Sequence, residues 1–234
     1  MTTPSPENRR PLKSRGAAWA KGLAAGVARA GLTPDLISAA SVAFAVLGAA
    51  LFLASGVVAG PLRAVALIGA GTCIQLRLLC NLLDGMVAVE HGRGGPSGPI
   101  WNELPDRLAD ALFLVGAGYG AASAGLEAGV VLGWLCAWLA ALTAYVRELG
   151  RGLGLPADFS GPMAKPHRMA ALTATSVVAA LEPLWGWNGQ AVLIGLSVIA
   201  LGTVATAIRR TRTLAKRLAE RPSPLPPASG GEDG

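Results

Sequence analysis

Six apolar stretches, each close to the roughly 20 helical residues that span about 30 Å of hydrocarbon, restrict what this chain can fold into. They run over Asp35–Ala54, Leu62–Leu83, Asp106–Ala124, Gly129–Val146, His167–Leu184 and Gln190–Ile208. With 52% hydrophobic and 15% charged residues among 234, the chain is too apolar for an ordinary soluble domain. The expectation is an all-α integral membrane protein with six transmembrane helices. Its 31 glycines suit close helix packing in lipid, where small residues let backbones approach. The fifth stretch is the least regular, because Glu182, Pro183 and two tryptophans crowd its end.

Basic residues set the expected orientation. With both termini cytoplasmic, the inner segments hold every Lys and Arg except Arg63, at an outer edge, and Arg77, inside the second stretch. The outer turns near Gly56–Pro61, Gly125–Ala128 and Trp185–Gly189 contain none. The net charge of +6 then reads as attraction to an anionic bilayer, not to nucleic acid. The first thirty residues are basic and contain proline without a compact apolar core, so no cleavable signal peptide is expected. Cys73, Cys80 and Cys136 fall in apolar stretches without paired spacing and read as small packing residues.

Residues 1–11 and 219–234 read as disordered, the tail being rich in Pro, Gly and Ser. Between them, 12–218 reads as one membrane domain, with an amphipathic helix over 12–30 and six spans over 35–210. In that first helix Trp19, Leu23 and Val27 recur at helical spacing among Lys13, Arg15, Lys21 and Arg29, a pattern that lies in the interface with its apolar side down. Thr33 is placed to cap the first span, and Pro34 suits its first turn.

Against this apolar background, Asn81, Asp84, Asn102, Asp106 and Asp110 stand out. A carboxylate in hydrocarbon costs about 2.5–3.5 kcal/mol even on lenient scales, so such acids need cations or water and mark function. Asn81, Asp84 and Ala88 share one helix face, with Arg77 one turn deeper; Asn102, Asp106 and Asp110 share a face of the next. The glycine-rich loop Glu90–Trp101 reverses the chain, so both polar faces meet at the inner membrane edge. An all-oxygen donor set favours Mg²⁺ or Mn²⁺ over zinc, and such ions clamp phosphate oxygens. His91 and His167 are too few and scattered for a zinc site.

The segment resembles the signature of the CDP-alcohol phosphotransferases, D-x2-D-G-x2-A-R-x8-G-x3-D-x3-D. Without gaps, Asp84, Gly85, Ala88, Gly98 and Asp106 match it, while Asn81, Val89 and Asn102 stand where Asp, Arg and Asp are expected. The six-span layout, the interfacial helix with its Leu32-Thr33-Pro34 exit and the Tyr145-Val146-Arg147 segment are similar too, so the resemblance covers most of 12–218. It implies a metal-dependent transferase of phospholipid biosynthesis in the inner membrane. Such an enzyme moves a phosphatidyl or similar phospho-alcohol group from a CDP-linked lipid donor to a small alcohol acceptor and releases CMP.

Carried over, the resemblance implies a two-metal site on Asn81, Asp84, Asn102, Asp106 and Asp110, and nucleotide contacts at Asp84, Gly85, Ala88 and Gly98. Asp106 would be the base in the gapless register. A register slipped by four makes Asp106 and Asp110 the last two acids, so both are candidate catalytic residues. Amides at 81 and 102 ligate through carbonyl oxygens without charge, which weakens metal binding unless Glu103 or Asp110 compensates. Arg93 or Arg107 is placed to substitute for the cation missing at Val89. Arg147, Arg151, Lys165 and Arg168 imply a pocket for a phosphorylated acceptor, and the family likeness implies a homodimer.

Plainer readings stay open beside these. Asn102 reads equally as the cap of the third span. Asp110 reads equally as the partner of Arg77 or Arg107, and the 147–168 cations as topology and head-group contacts. An alternative function keeps the fold without the chemistry: a family-derived protein that binds nucleotide or lipid, or partners another lipid enzyme. A solute transporter fits less well, because transporter sites sit near the midplane on interrupted helices.

Overall fold

The computed structural model describes residues 17–90 and 98–221, leaving aside the side chains of 88–90, 98–99 and 101–102. The described residues are helical, without strands. α1 (Ala18–Arg29) precedes α2 (Pro34–Ser55), α3 (Gly60–Glu90), α4 (Gly98–Ser123), α5 (Ala128–Gly152), α6 (Lys165–Leu181) and α7 (Gln190–Ala219), and a 3-10 turn, Glu182–Trp185, joins the last two. The disorder expected for 1–11 lies outside the described residues, as does the tail beyond Arg221 and the 12–16 part of the first helix.

α2 starts as its sequence dictates: Pro34 takes the first turn, and Thr33 Oγ1 accepts a hydrogen bond from the Leu36 N–H at 3.3 Å. Two boundaries differ from expectation. α3 continues to Glu90, and α4 already begins at Gly98, so the reversal between them is shorter than Glu90–Trp101. Asn102 therefore lies inside α4, not at its cap. Pro99 suits the first turn of that helix, and Pro105 sits within it, removing one backbone donor without ending it.

By length and apolarity α2, α3 up to Val87, α5 and α7 are each able to cross a membrane. α4 falls short of that measure because Asp106, Arg107 and Asp110 share its apolar stretch, and α6 because it has only 17 residues.

α2 packs on α3 and α4, α4 on α5, α5 on α7, α7 on α6, and α6 back on α3, which closes a ring of six helices. Phe52, Leu67, Ile74, Phe113, Leu114, Met169, Leu172 and Leu196 fill its interior. Val46, Leu53, Val65, Val131, Trp138, Val198 and Leu201 are exposed on its outside, as a lipid-facing surface requires. Lipid tails give no hydrophobic drive for helix association, so backbone proximity has to supply the packing. Gly118 of α4 abuts the backbone of Gly129 and Gly133 in α5, and Gly120 abuts the Phe52 carbonyl of α2; a Cβ at either position would collide with backbone. Cys73 and Cys136 are free and buried in this core, as their setting suggested.

α1 lies outside the ring against α3. Its Ala20, Ala24 and Ala28 pack on Leu82, Leu83, Met86 and Val87. Trp19 and Leu23 face outward.

At the end of the ring where α3 begins, Arg63 Nη2 meets Glu182 Oε2 at 2.5 Å, with both side chains buried. Glu182 also accepts the Gly189 N–H at 2.8 Å and the Ala191 N–H at 2.5 Å, tying α3 to the start of α7. This clasp explains the polar interruption after the fifth stretch. Removing one partner of a buried pair strands the other charge. Glu182→Ala is therefore expected to cost about 3–5 kcal/mol, seen as a markedly lower thermal unfolding midpoint in detergent.

Candidate functional site

The N-terminal parts of α2, α4 and α6 and the C-terminal parts of α3 and α5 gather polar chemistry at the opposite end from the Arg63–Glu182 clasp. Asp110, 1% exposed, sits at its base. Its Oδ1 takes Arg77 Nη2 of α3 at 2.9 Å, and its Oδ2 takes Arg168 Nη2 of α6 at 2.9 Å. Of the readings open for Asp110, this geometry supports the partner of an arginine: both oxygens are engaged by guanidinium groups. The same Arg77 Nη2 reaches one turn outward to Asp106, 3.2 Å from Oδ1 and 3.0 Å from its carbonyl.

Asp106 is the crossing point. Asn81 of α3 donates to its Oδ1, and the Lys165 ammonium of α6 holds its Oδ2. Arg107 stands 3.6 Å from Oδ2 and pairs with Glu103 at 3.3 Å. The two motif halves thus meet, as the sequence required. Asp84, one turn from Asn81 and 94% buried, accepts the Ser38 hydroxyl of α2 through Oδ2 at 2.9 Å. Its Oδ1 is buried without a partner. Asp84 and Asp106 are near enough to repel each other electrostatically, with Lys165 near enough to Asp84 to offset this.

Ser38 went unread in the sequence, although the hydroxyls Ser38 and Ser41 share one face of the first span. Gly85 lies beside Asp84 on α3. Ala88, Val89, Gly98 and Asn102 lie among the residues whose side chains are outside the description, and Arg93 outside the described residues altogether.

The four cations read as an acceptor pocket are divided. Lys165 and Arg168 belong to the acid cluster. Arg147 pairs with Glu103 at 2.6 Å and lies 5.3 Å over the Phe159 ring. Arg151 is largely exposed and bound to Glu148 at 2.8 Å. A cavity beside them is lined by Arg147, Asp158, Arg210 and Arg217, bringing in two α7 arginines that sequence reasoning had counted only toward topology. Burial opposes ionisation of Asp158. The Ser160 hydroxyl and N–H, with Arg210 and Arg217, outweigh it and hold the carboxyl below its usual range.

Among the described residues no three His, Cys, Asp or Glu side chains are grouped to hold a metal. The donors present are the unpartnered Asp84 Oδ1, the Asn81 amide carbonyl and the Asp106 carboxylate, all hard oxygens. That set fits a divalent cation such as Mg²⁺ or Mn²⁺, provided amide oxygens share the coordination.

No family model matches the chain. It is 27% identical over 208 residues to phosphatidylinositol phosphate synthase of Mycolicibacterium smegmatis, covering 86% of each chain. It is also 27% identical over 212 residues to the synthase of Mycobacteroides abscessus, covering 90% of each. In sequence the chain is thus similar to phosphatidylinositol phosphate synthases. Among solved structures, the Mycobacterium tuberculosis phosphatidylinositol phosphate synthase with CDP-DAG bound aligns at a TM-score of 0.73 and 23% identity, over 89% of this chain and 100% of that one. The same synthase with manganese and citrate gives 0.71 at 23% identity, over 88% and 94%. These structures establish the fold.

The Arg77–Asp110–Arg168 cluster has a direct consequence for stability. Asp110→Ala strands two buried guanidiniums and is expected to cost about 3–5 kcal/mol in detergent unfolding. Ser38→Ala removes one hydrogen bond to a carboxylate and should cost roughly 1.5–3 kcal/mol. An Asp110→Ala loss no greater than that of Ser38→Ala would contradict the cluster's role.

Proposed function

We propose that the chain is a membrane-embedded, divalent-metal-dependent transferase that moves a phosphatidyl group from a CDP-linked lipid to a hydroxyl acceptor and releases CMP. The observation that carries this reading is the Asn81–Asp106 contact, which joins the two motif halves beside the unpartnered oxygen of Asp84. The names of the relatives support it, since they are phosphatidylinositol phosphate synthases. So does the fold shared with a synthase crystallised with CDP-DAG and with manganese.

In this reading Asp84 and Asn81 hold the cation, and Asp106 faces the mouth of the site at 14% side-chain exposure. When bound there, a divalent ion would neutralise charge on the donor's pyrophosphate oxygens. Asp106 receives the acceptor's hydroxyl proton as its oxygen bonds to the β-phosphorus. The phosphoanhydride P–O bond breaks, and its electron pair leaves with CMP. Lys165 holds Asp106, and Asp110 keeps Arg77 and Arg168 in place behind it. Gly85, Ala88 and Gly98 leave room for the nucleotide. Arg147, Arg210 and Arg217, which line one small cavity with Asp158, supply cations that would attract a phosphorylated alcohol.

The membrane setting is part of the proposal. All six ring helices cross the bilayer, and both termini lie on the cytoplasmic side of an inner membrane whose anionic lipids meet the basic inner segments. α1 lies in the interface with Trp19 and Leu23 turned toward lipid. The homodimer rests on family likeness. A second reading, a family-derived binding protein without turnover, is favoured by the amides at 81 and 102 and by Val89.

Purified chain incubated with Mg²⁺ or Mn²⁺, CDP-diacylglycerol and pooled polar alcohols is expected to release CMP and form a new lipid, identified by mass. Asp106→Asn should lower CMP release by about 10²–10⁴-fold, Asp84→Asn at least comparably, and chelation should stop it. CDP-lipid binding without any turnover would move the chain to the second reading.

A further inference from the structure

Charges around the site are already paired. Asp84, Asp106, Asp110 and Glu103 face Arg77, Lys165, Arg168 and Arg107, four carboxylates against four cations drawn from α3, α4 and α6. Asn81 brings oxygen without charge where a carboxylate would supply it. Two divalent ions sharing a site are normally separated by about 3.5–4 Å and need that negative charge to offset their repulsion. Here Asp110 gives both oxygens to arginines, and Asp106 gives Oδ2 to an ammonium. The donor left over is Asp84 Oδ1, on a side chain that is 94% buried and without another partner for that atom. With the Asn81 amide carbonyl one helical turn away and one Asp106 oxygen, it makes half of a six-coordinate shell, enough protein donors for one ion.

We infer that the site takes one divalent cation per chain, on Asp84, Asn81 and one oxygen of Asp106, and that the Lys165 ammonium held on Asp106 supplies the charge a second ion would bring. This rests on the metal-dependent reading above and deepens it. A pyrophosphate diester carries two negative charges, so one divalent ion on a balanced cluster leaves the loaded site neutral; two would leave it strongly positive. Arg77 cannot take over from Lys165, because its Nη2 is shared between Asp106 and Asp110.

The test is Mn²⁺ stoichiometry in the full chain, measured by titration calorimetry and electron paramagnetic resonance in detergent, with CDP-diacylglycerol present. The expected result is one Mn²⁺ per chain with a signal free of Mn–Mn coupling. Lys165→Met removes the competing charge and should tighten that ion about tenfold or more, on the scale by which one neighbouring charge shifts a titration. Adding Asn81→Asp to Lys165→Met should admit a second, coupled ion. Two coupled ions in the unaltered chain would overturn the inference while leaving the metal-dependent transferase intact. Unchanged affinity in Lys165→Met would remove the lysine's role. Absence of any Mn²⁺ binding would overturn both this inference and the reading it rests on.

Discussion

One carboxylate holds one end of this ring together. Asp110 of α4 is the common partner of Arg77 on α3 and Arg168 on α6, and all three side chains are almost fully removed from solvent. Desolvating each ion costs several kcal/mol, which mutual attraction repays only with good geometry. Two guanidiniums at 2.9 Å on separate oxygens provide it. The repayment is incomplete, because Arg77 Nε, Arg77 Nη1 and Arg168 Nε lack partners. Each such donor costs about 1–3 kcal/mol, a load that apolar side chains of similar volume would avoid. Polar groups kept at that cost behind Asp106 make sense as positioning for chemistry.

The opposite end uses the same device for another purpose. Arg63 and Glu182 form a buried pair, and Glu182 spends its remaining capacity on the backbone N–H groups of Gly189 and Ala191 at the start of α7. Those donors are the orphans every helix start must satisfy. The clasp points away from every group implicated in catalysis and reads as architecture. The fold thus has a polar lock at one end and a polar cluster at the other, with Asp106 partly exposed.

How legible this was differs by layer. Hydrophobic runs gave every ring helix, because apolar length is a property of the segment alone. Boundaries moved where polar residues sit inside helices: Asp106 marked the start of a span by hydropathy, yet helical hydrogen bonding begins at Gly98. The meeting of Asn81 with Asp106 was legible from spacing of three and four residues on adjacent helices. Ser38 on Asp84 and Lys165 on Asp106 were not, since each comes from a helix far off in sequence. Arg147, Arg151, Lys165 and Arg168 read as one patch because they are close along the chain. A helix end separates them, sending two into the acid cluster and leaving Arg151 outside.

Charge pairing inside the ring also explains why α4 and α6 are less apolar than their neighbours while occupying equivalent places in it. Apolarity along a segment measures what lipid would meet if every residue faced outward. In α4 and α6 the charged residues Asp106, Asp110, Lys165 and Arg168 face each other and α3, so their charges cancel inside the ring. The outward positions, such as Leu108 on α4 and Val177, Val178 and Leu181 on α6, remain apolar. Mutual neutralisation across three helices lets segments of mixed composition stand in the ring, and the same neutralisation limits how much further positive charge the site can accept.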